Sequence, residues 1–239
     1  MIANPVPSEA LLELGGRTDE AAATSTVPDV GGHIRNLIVT RRLRAGEPVR
    51  ADAVAQELSV SATPVREALR SLQAEGFLEY QRNRGFVVAR LDAADIRDVF
   101  ISIGLLAGEL AARAATTAHQ EDLLPMKSVL ERLRQFGPEA EPGDITELLG
   151  QFYAQLHVLG HSPKMVSLIL TLDKYTPAGI YSSTPGWLSR TVLYIELLIA
   201  AIQAHEPDAA RAAIIGHMRE AATLVSAPFE SASDSAAVL

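Results

Sequence analysis

A mainly α-helical chain in two parts is what the sequence predicts. Three helices and a β-hairpin come first, arranged as a winged helix-turn-helix, and an antiparallel bundle of six or seven helices follows. Three observations lead there. Apolar residues recur at helical spacing through most of the 239 residues. One pair of short alternating or β-branched segments, FLEYQ and FVVARL around RNRG, breaks that pattern with a hairpin signal. The charge is also uneven: residues 31–91 hold ten arginines against six acids, whereas residues 92–239 hold ten basic side chains against eighteen acids.

The elements follow in order. Residues 1–30, rich in Ala, Thr, Pro and Gly, read as a disordered tail. A first helix fits 31–43, with Ile34, Leu37, Ile38 and Leu43 on its inner face. RAGEPVR (44–50) is a turn marked by Gly46 and Pro48, and ADAVAQEL (51–58) spaces Ala51, Val54, Ala55 and Leu58 as a second helix. SVSA interrupts the periodicity and Thr63-Pro64 restarts it, Thr63 as the cap and Pro64 at the first helical position. Val65, Leu69 and Leu72 then form the buried stripe of the third helix, and Gly76 ends it. The hairpin closes a domain spanning 31–91.

From residue 92 the pattern is helical throughout, with segments near 92–118, 120–136, 144–161, 163–181, 186–205 and 207–226. Gly137-Pro138, Pro142-Gly143, Pro163, Pro185-Gly186 and Pro207 separate them, so neighbouring helices run antiparallel through short loops. The bundle domain spans 92–228, and 229–239 read as a second disordered tail.

Composition excludes several classes. With no cysteine there are no disulfides and no thiolate metal sites, which fits a reducing, cytoplasmic setting. No segment runs 18 apolar residues without a charge or strong polar interruption, so no membrane span is expected, and MIANPVPSEA lacks the basic start and apolar core of a secretory signal. No nucleophile elbow, phosphate-binding glycine loop or acid–base pair is present, so no catalytic residues are assigned and the chain is not expected to be an enzyme. The net charge of −8 belongs to the tail and the bundle, whereas the 31–91 block has the electrostatic footprint of a module that binds double-stranded DNA.

Within that block the third helix is the candidate reading element. Arg66 and Arg70 lie four residues apart on the face opposite the leucine stripe, and Gln73 continues their row. Guanidinium groups match guanine O6/N7 and phosphate oxygens. Ser59, Ser61 and Thr63, beside the helix N-terminus, suit phosphate contacts, and Arg82, Asn83, Arg84 and Gly85 form a basic hairpin tip.

These same residues carry a resemblance. RAGEPVR and VSATPVREALRSLQAEGFLEYQRNRGFVV resemble the turn and the reading segment of GntR-type winged-helix transcriptional regulators over about sixty residues. The helical remainder resembles the FadR-like, FCD-type ligand-sensing bundle of that family, on the HSP after helix 144–161 and the closing AIQAHEPDAARAAIIGHM. The resemblance implies a homodimer that binds a pseudo-palindromic operator under control of a small-molecule effector, more commonly as a repressor. One departure falls in the reading segment: Ala62 stands where the family usually carries an arginine that grips the operator.

The family's metal site is also altered. Many FadR-like bundles hold a divalent metal with an Asp and a His four apart on one helix and two later histidines. Aligned on HSP (161–163) and His217, those positions fall at Leu149, Tyr153, Ile195 and His217, so no bound metal or other cofactor is expected. Positions that are often charged in the first bundle helix fall at Phe100 and Gly104. The implied effector pocket is walled by Phe100, Gly104, Leu149, Tyr153 and Ile195, with His217 and the Tyr153 hydroxyl as polar handles, and suits an apolar or aromatic ligand. His157 and His161 repeat the four-residue spacing, but Tyr153 stands where an acidic partner would be, so they read as polar residues near a helix end. Trp187, Tyr175, Tyr181 and Tyr194 read as core or pocket-lining residues. The rival reading keeps the bundle as a protein-interaction or ligand-carrier module attached to a degenerate DNA head. Ala62 is the residue that sustains it.

Overall fold

A computed structural model describes residues 29–137, 140–176 and 186–230. It divides into two units. One contains residues 93–173 and 186–230; the other contains residues 29–92 with 174–176.

The smaller unit starts with α1 (Val30–Val39), α2 (Ala51–Glu57) and α3 (Ala62–Ala74). Asp29 caps α1 by accepting a hydrogen bond from Gly32 N at 2.9 Å. The expected inner face holds at Ile34 and Ile38, with Val30 and Val39 added, and Leu37 and Leu43 only half-buried. The helix stops at Val39, short of residue 43, and Arg41 then turns the chain with a φ of 61°.

The start of α3 differs from expectation. Ser61 occupies the cap position with extended backbone, and the helix begins at Ala62, which places Thr63-Pro64 inside the first turn. Proline costs nothing there, because the first four N–H groups of a helix have no partner within it. Val65, Leu69 and Leu72 are buried, as their spacing predicts. After Glu75 the chain reverses at Gly76, whose φ of +86° belongs to the left-handed region. A Cβ added there would stand 2.9 Å from the Tyr175 hydroxyl. Gly76→Ala is therefore expected to destabilise this unit by about 1–3 kcal/mol, measured by denaturant unfolding; unchanged stability would contradict the strain.

Strands β1 (Leu78–Gln81) and β2 (Gly85–Val88) pair antiparallel in the register Leu78↔Val88 to Gln81↔Gly85. The turn between α1 and α2 adds a third edge. Gly46 N donates to Val88 O at 2.8 Å, Val88 N to Glu47 O at 2.9 Å, and Val49 N to Phe86 O at 2.8 Å. The core of the unit gathers Ile34, Ile38, Val65, Leu69, Leu72 and Phe77, with Tyr175 packed against its edge.

The larger unit holds six α-helices among the described residues: α4 (Ala93–Thr117), α5 (Leu124–Arg134), α6 (Pro142–Leu159), α7 (Pro163–Asp173), α8 (Trp187–Gln203) and α9 (Pro207–Glu230). A short 3₁₀ turn, Glu121–Leu123, precedes α5. Helix α4 is the hub: Ile96, Phe100, Ile103, Ala107, Leu110 and Ala111 are all buried, and α6, α7, α8 and α9 pack on it. By length and hydropathy α4 could cross a membrane, but it is the central core helix of this unit. Its glycines admit α9 closely, since a Cβ on Gly104 would lie 2.9 Å from Met218 Cβ.

Two boundaries shift. Helix α7 ends at Asp173, short of the expected 181, with a turn at Lys174 and Tyr175; the proline at 177 also disfavours helical backbone before it. Helix α9 runs to Glu230 and buries Phe229, so the expected tail from 229 is helical at its start. The remainder of that tail, residues 1–28 of the first tail and Tyr181 lie outside the described residues.

Candidate nucleic-acid interface and buried polar cluster

The winged-helix unit presents the residues singled out in the sequence on its outside. Ser59, Ser61, Thr63, Arg66, Arg70 and Gln73 are all exposed, as are Arg82, Asn83 and Arg84, while Gly85 is half-buried. The stripe of Val65, Leu69 and Leu72 faces the core and fixes which side of α3 turns outward. Arg66 is held only loosely: its nearest acid is Asp52 at 4.0 Å, with the side chains 61% and 89% exposed. A phosphate or a base edge can replace such a partner at little cost.

The N-terminus of α3 is equally open. Ser61 is exposed and makes no side-chain capping bond, so its hydroxyl does not occupy the first-turn N–H groups. Free N–H groups and the helix dipole make such an end a ready site for phosphate. At the wing tip the arginines divide. Arg84 donates to Gly46 O at 2.8 Å and to Gln81 Oε1 at 3.3 Å, which braces the tip against the α1–α2 turn. Arg82 and Asn83 are left as the outward groups. Ala62 sits half-buried in the first turn of α3 and offers no donor.

In the helical unit, the expected pocket residues split between a polar cluster and plain core. The Tyr153 hydroxyl lies 3.0 Å from His217 Nδ1, and Thr191 Oγ1 lies 3.3 Å from His217 Nε2. His217 is 4% exposed and Thr191 fully buried. The Tyr194 ring stacks on the imidazole at 5.4 Å between centroids, and Trp187 lies at 6.5 Å. Burial holds the His217 pKa down at about 4, against an ordinary 6.5. Burial also pushes the Tyr153 phenol above its usual range, with the Asp173 carboxylate adding to the effect. Both groups are therefore neutral, and a neutral imidazole has one donor and one acceptor nitrogen to match two hydroxyls.

The two polar handles are thus bonded to each other and to Thr191, instead of standing free for a ligand. Phe100, Leu149 and Ile195 are buried core residues, and Gly104 meets Met218. A surface cavity of about 460 Å³ is lined by Arg132, Gln135, Phe136, Asp144 and Glu147, none of them an expected pocket residue.

The metal of the FadR-like bundles does not fit these residues. Leu149 and Ile195 have no lone pair to give, and hydroxyl groups lie within bonding distance of both His217 nitrogens. Among the described residues no three His, Cys, Asp or Glu side chains gather to hold a metal ion. His157 and His161 join no such group: His161 is exposed with a φ of 47°, and burial lowers the half-buried His157 to a pKa of about 4.

Sequence reading missed Thr191 and the role of Tyr175. Thr191 had a signal, a polar residue inside the apolar run of α8; Tyr175 had none, because its partners lie about a hundred positions earlier.

Two family models match successive parts of the chain. The family model "Bacterial regulatory proteins, gntR family" matches residues 26–88, and the FCD domain model matches residues 98–220. An uncharacterized HTH-type transcriptional regulator of Mycobacterium tuberculosis is 30% identical over 78% of this chain and 75% of its own. The Nta operon transcriptional regulator of Aminobacter aminovorans is 24% identical over 77% and 87%. Among solved structures, E. coli McbR/YncC has the same fold, with a TM-score of 0.60 and 22% identity over 84% of this chain and 97% of that one.

Proposed function

Because the chain belongs to the GntR family of bacterial regulatory proteins, with an FCD domain after its DNA-binding domain, we propose that it is a cytoplasmic, homodimeric repressor whose grip on a pseudo-palindromic operator is set by a small molecule. The observation that carries the DNA half is the outward face of α3, with exposed Arg66 and Arg70 above an uncapped N-terminus. Arg66, Arg70 and Gln73 read base edges. Ser59, Ser61 and Thr63 hold phosphates, and the wing tip at Arg82 and Asn83 reaches the backbone or the adjacent minor groove. Arg84 and Gly85 shape that tip. Repression is the commoner outcome among the relatives that this chain resembles.

The effector half rests on the FCD domain and on the cluster around His217. An effector changes operator affinity only to the extent that it binds one arrangement of the dimer more tightly. A ligand competing for Tyr153, Thr191 and His217 must replace two hydrogen bonds to a neutral imidazole, and the other residues expected to line its pocket, Phe100, Leu149 and Ile195, are apolar. That favours an apolar or aromatic molecule with one or two hydrogen-bonding groups over a small dicarboxylate. The protein works without a metal and catalyses no reaction.

Two experiments test this reading. In vitro selection from random duplexes with the full chain is expected to enrich an inverted repeat; enrichment of no sequence overturns operator reading. Elemental analysis of tag-free protein is expected to find no stoichiometric zinc, nickel or manganese, and one metal ion per chain overturns the metal-free account.

A further inference from the structure

The winged-helix unit includes residues from far along the chain. Residues 174–176 follow α7 directly, yet group with residues 29–92. The Tyr175 hydroxyl donates to the Glu75 carbonyl at 2.6 Å, and its ring stacks on Phe77 with centroids 4.2 Å apart. Lys174 Nζ lies 3.1 Å from the Glu75 carboxylate. That carboxylate also accepts from Arg35 Nη2 on α1 at 3.0 Å and from Ser71 Oγ, one turn back on α3, at 3.1 Å.

Glu75 is the residue at which α3 ends, where helix carbonyls have no partner within the helix. Tyr175 supplies a partner for one of them, and the aromatic stack pins the next residue but one. Burial opposes a charged Glu75, but Lys174 and Arg35 outweigh it and hold its carboxyl below the ordinary value.

We propose that Tyr175 is a positioning residue for DNA reading, fixing the C-terminal end of α3 so that Arg66 and Arg70 are presented at one angle to the groove. This rests on the reading of α3 as the recognition helix. The lever is long enough to matter: thirteen residues of α-helix span about 20 Å, so a tilt of about 3° moves the far end by about 1 Å. A bidentate guanidinium contact tolerates little such movement, whereas phosphate contacts from flexible side chains absorb it. Loss of the Tyr175 bond therefore reduces discrimination between operator and unrelated DNA more than it reduces binding as such.

The test uses the full chain and the duplex it selects in vitro. Tyr175→Phe keeps the stack on Phe77 and removes only the hydroxyl. Affinity for the selected duplex is expected to fall about three- to tenfold, with affinity for an unrelated duplex at low salt unchanged and the melting temperature lowered by no more than the few degrees that one lost hydrogen bond costs. An unchanged ratio of the two affinities overturns the proposal while Arg66→Ala still weakens operator binding. A ratio that falls only in step with melting temperature overturns it too, because the hydroxyl is then merely structural. If the unmodified chain selects no sequence, the premise itself fails, and that result is distinct from both.

Discussion

Arg66→Ala is expected to weaken binding to the selected operator by about 1–3 kcal/mol, a factor of roughly five to 150. The side chain is exposed on α3 and, among the described residues, the acid that it pairs with is Asp52 at 4.0 Å, so its removal costs the fold almost nothing. The loss should be largest at one base pair per half-site and disappear when that pair is changed, because a base contact carries sequence information and a phosphate contact does not. Arg82→Ala should instead weaken all duplexes evenly and reduce the salt dependence by about one phosphate. Titration of matched duplexes by fluorescence anisotropy separates the two. Equal losses on every sequence for Arg66→Ala would remove it from the base-reading set.

The second large effect concerns acid. His217 is neutral in the folded chain with a pKa of about 4, whereas the unfolded chain binds its proton at about the ordinary 6.5. Between those values the unfolded state holds more protons, so stability falls as pH falls through this window and is fully present above it. The shift sets an upper size of about 3 kcal/mol for His217, and His157, lowered to about 4 by burial, acts in the same direction. The carboxyls of Glu75 and Glu109, held low by Arg and Lys partners, lose their contribution only below 4.5, so the upper part of the window belongs to the histidines. His217→Gln, which can still bond both hydroxyls, should flatten the fall in stability between pH 6.5 and 4.5. Thermal unfolding across that range measures it, and an unchanged slope would mean that His217 is already charged in the fold.

Much of this architecture was legible in the sequence for identifiable reasons. The stripe of Val65, Leu69 and Leu72 fixes the orientation of α3 by periodicity alone, and with it the outward placement of Arg66 and Arg70. Proline and glycine positions separate the bundle helices close to where they end. Thr63-Pro64 misled by two residues because proline fits several positions of a helix start. The end of α7 was placed too far along because apolar spacing continues past Asp173, while the engagement of Tyr175 with Glu75 and Phe77 is a long-range contact that periodicity does not carry. The polar cluster was half visible. Aligned positions singled out Tyr153 and His217 but not that they bond each other, since the partner that closes the set, Thr191, lies on a different helix.

The central claim is that α3 reads DNA by sequence. Its most direct measurement is the affinity of the full chain for its selected inverted repeat and for a scrambled duplex, each at 50 and 200 mM salt. The scrambled duplex is expected to lose nearly all affinity at the higher salt, because only phosphate contacts hold it. The repeat should remain bound at least about a thousandfold more tightly than the scramble. Equal affinity for the two duplexes at both salt concentrations would contradict the claim and leave the helical unit as the working part of the protein.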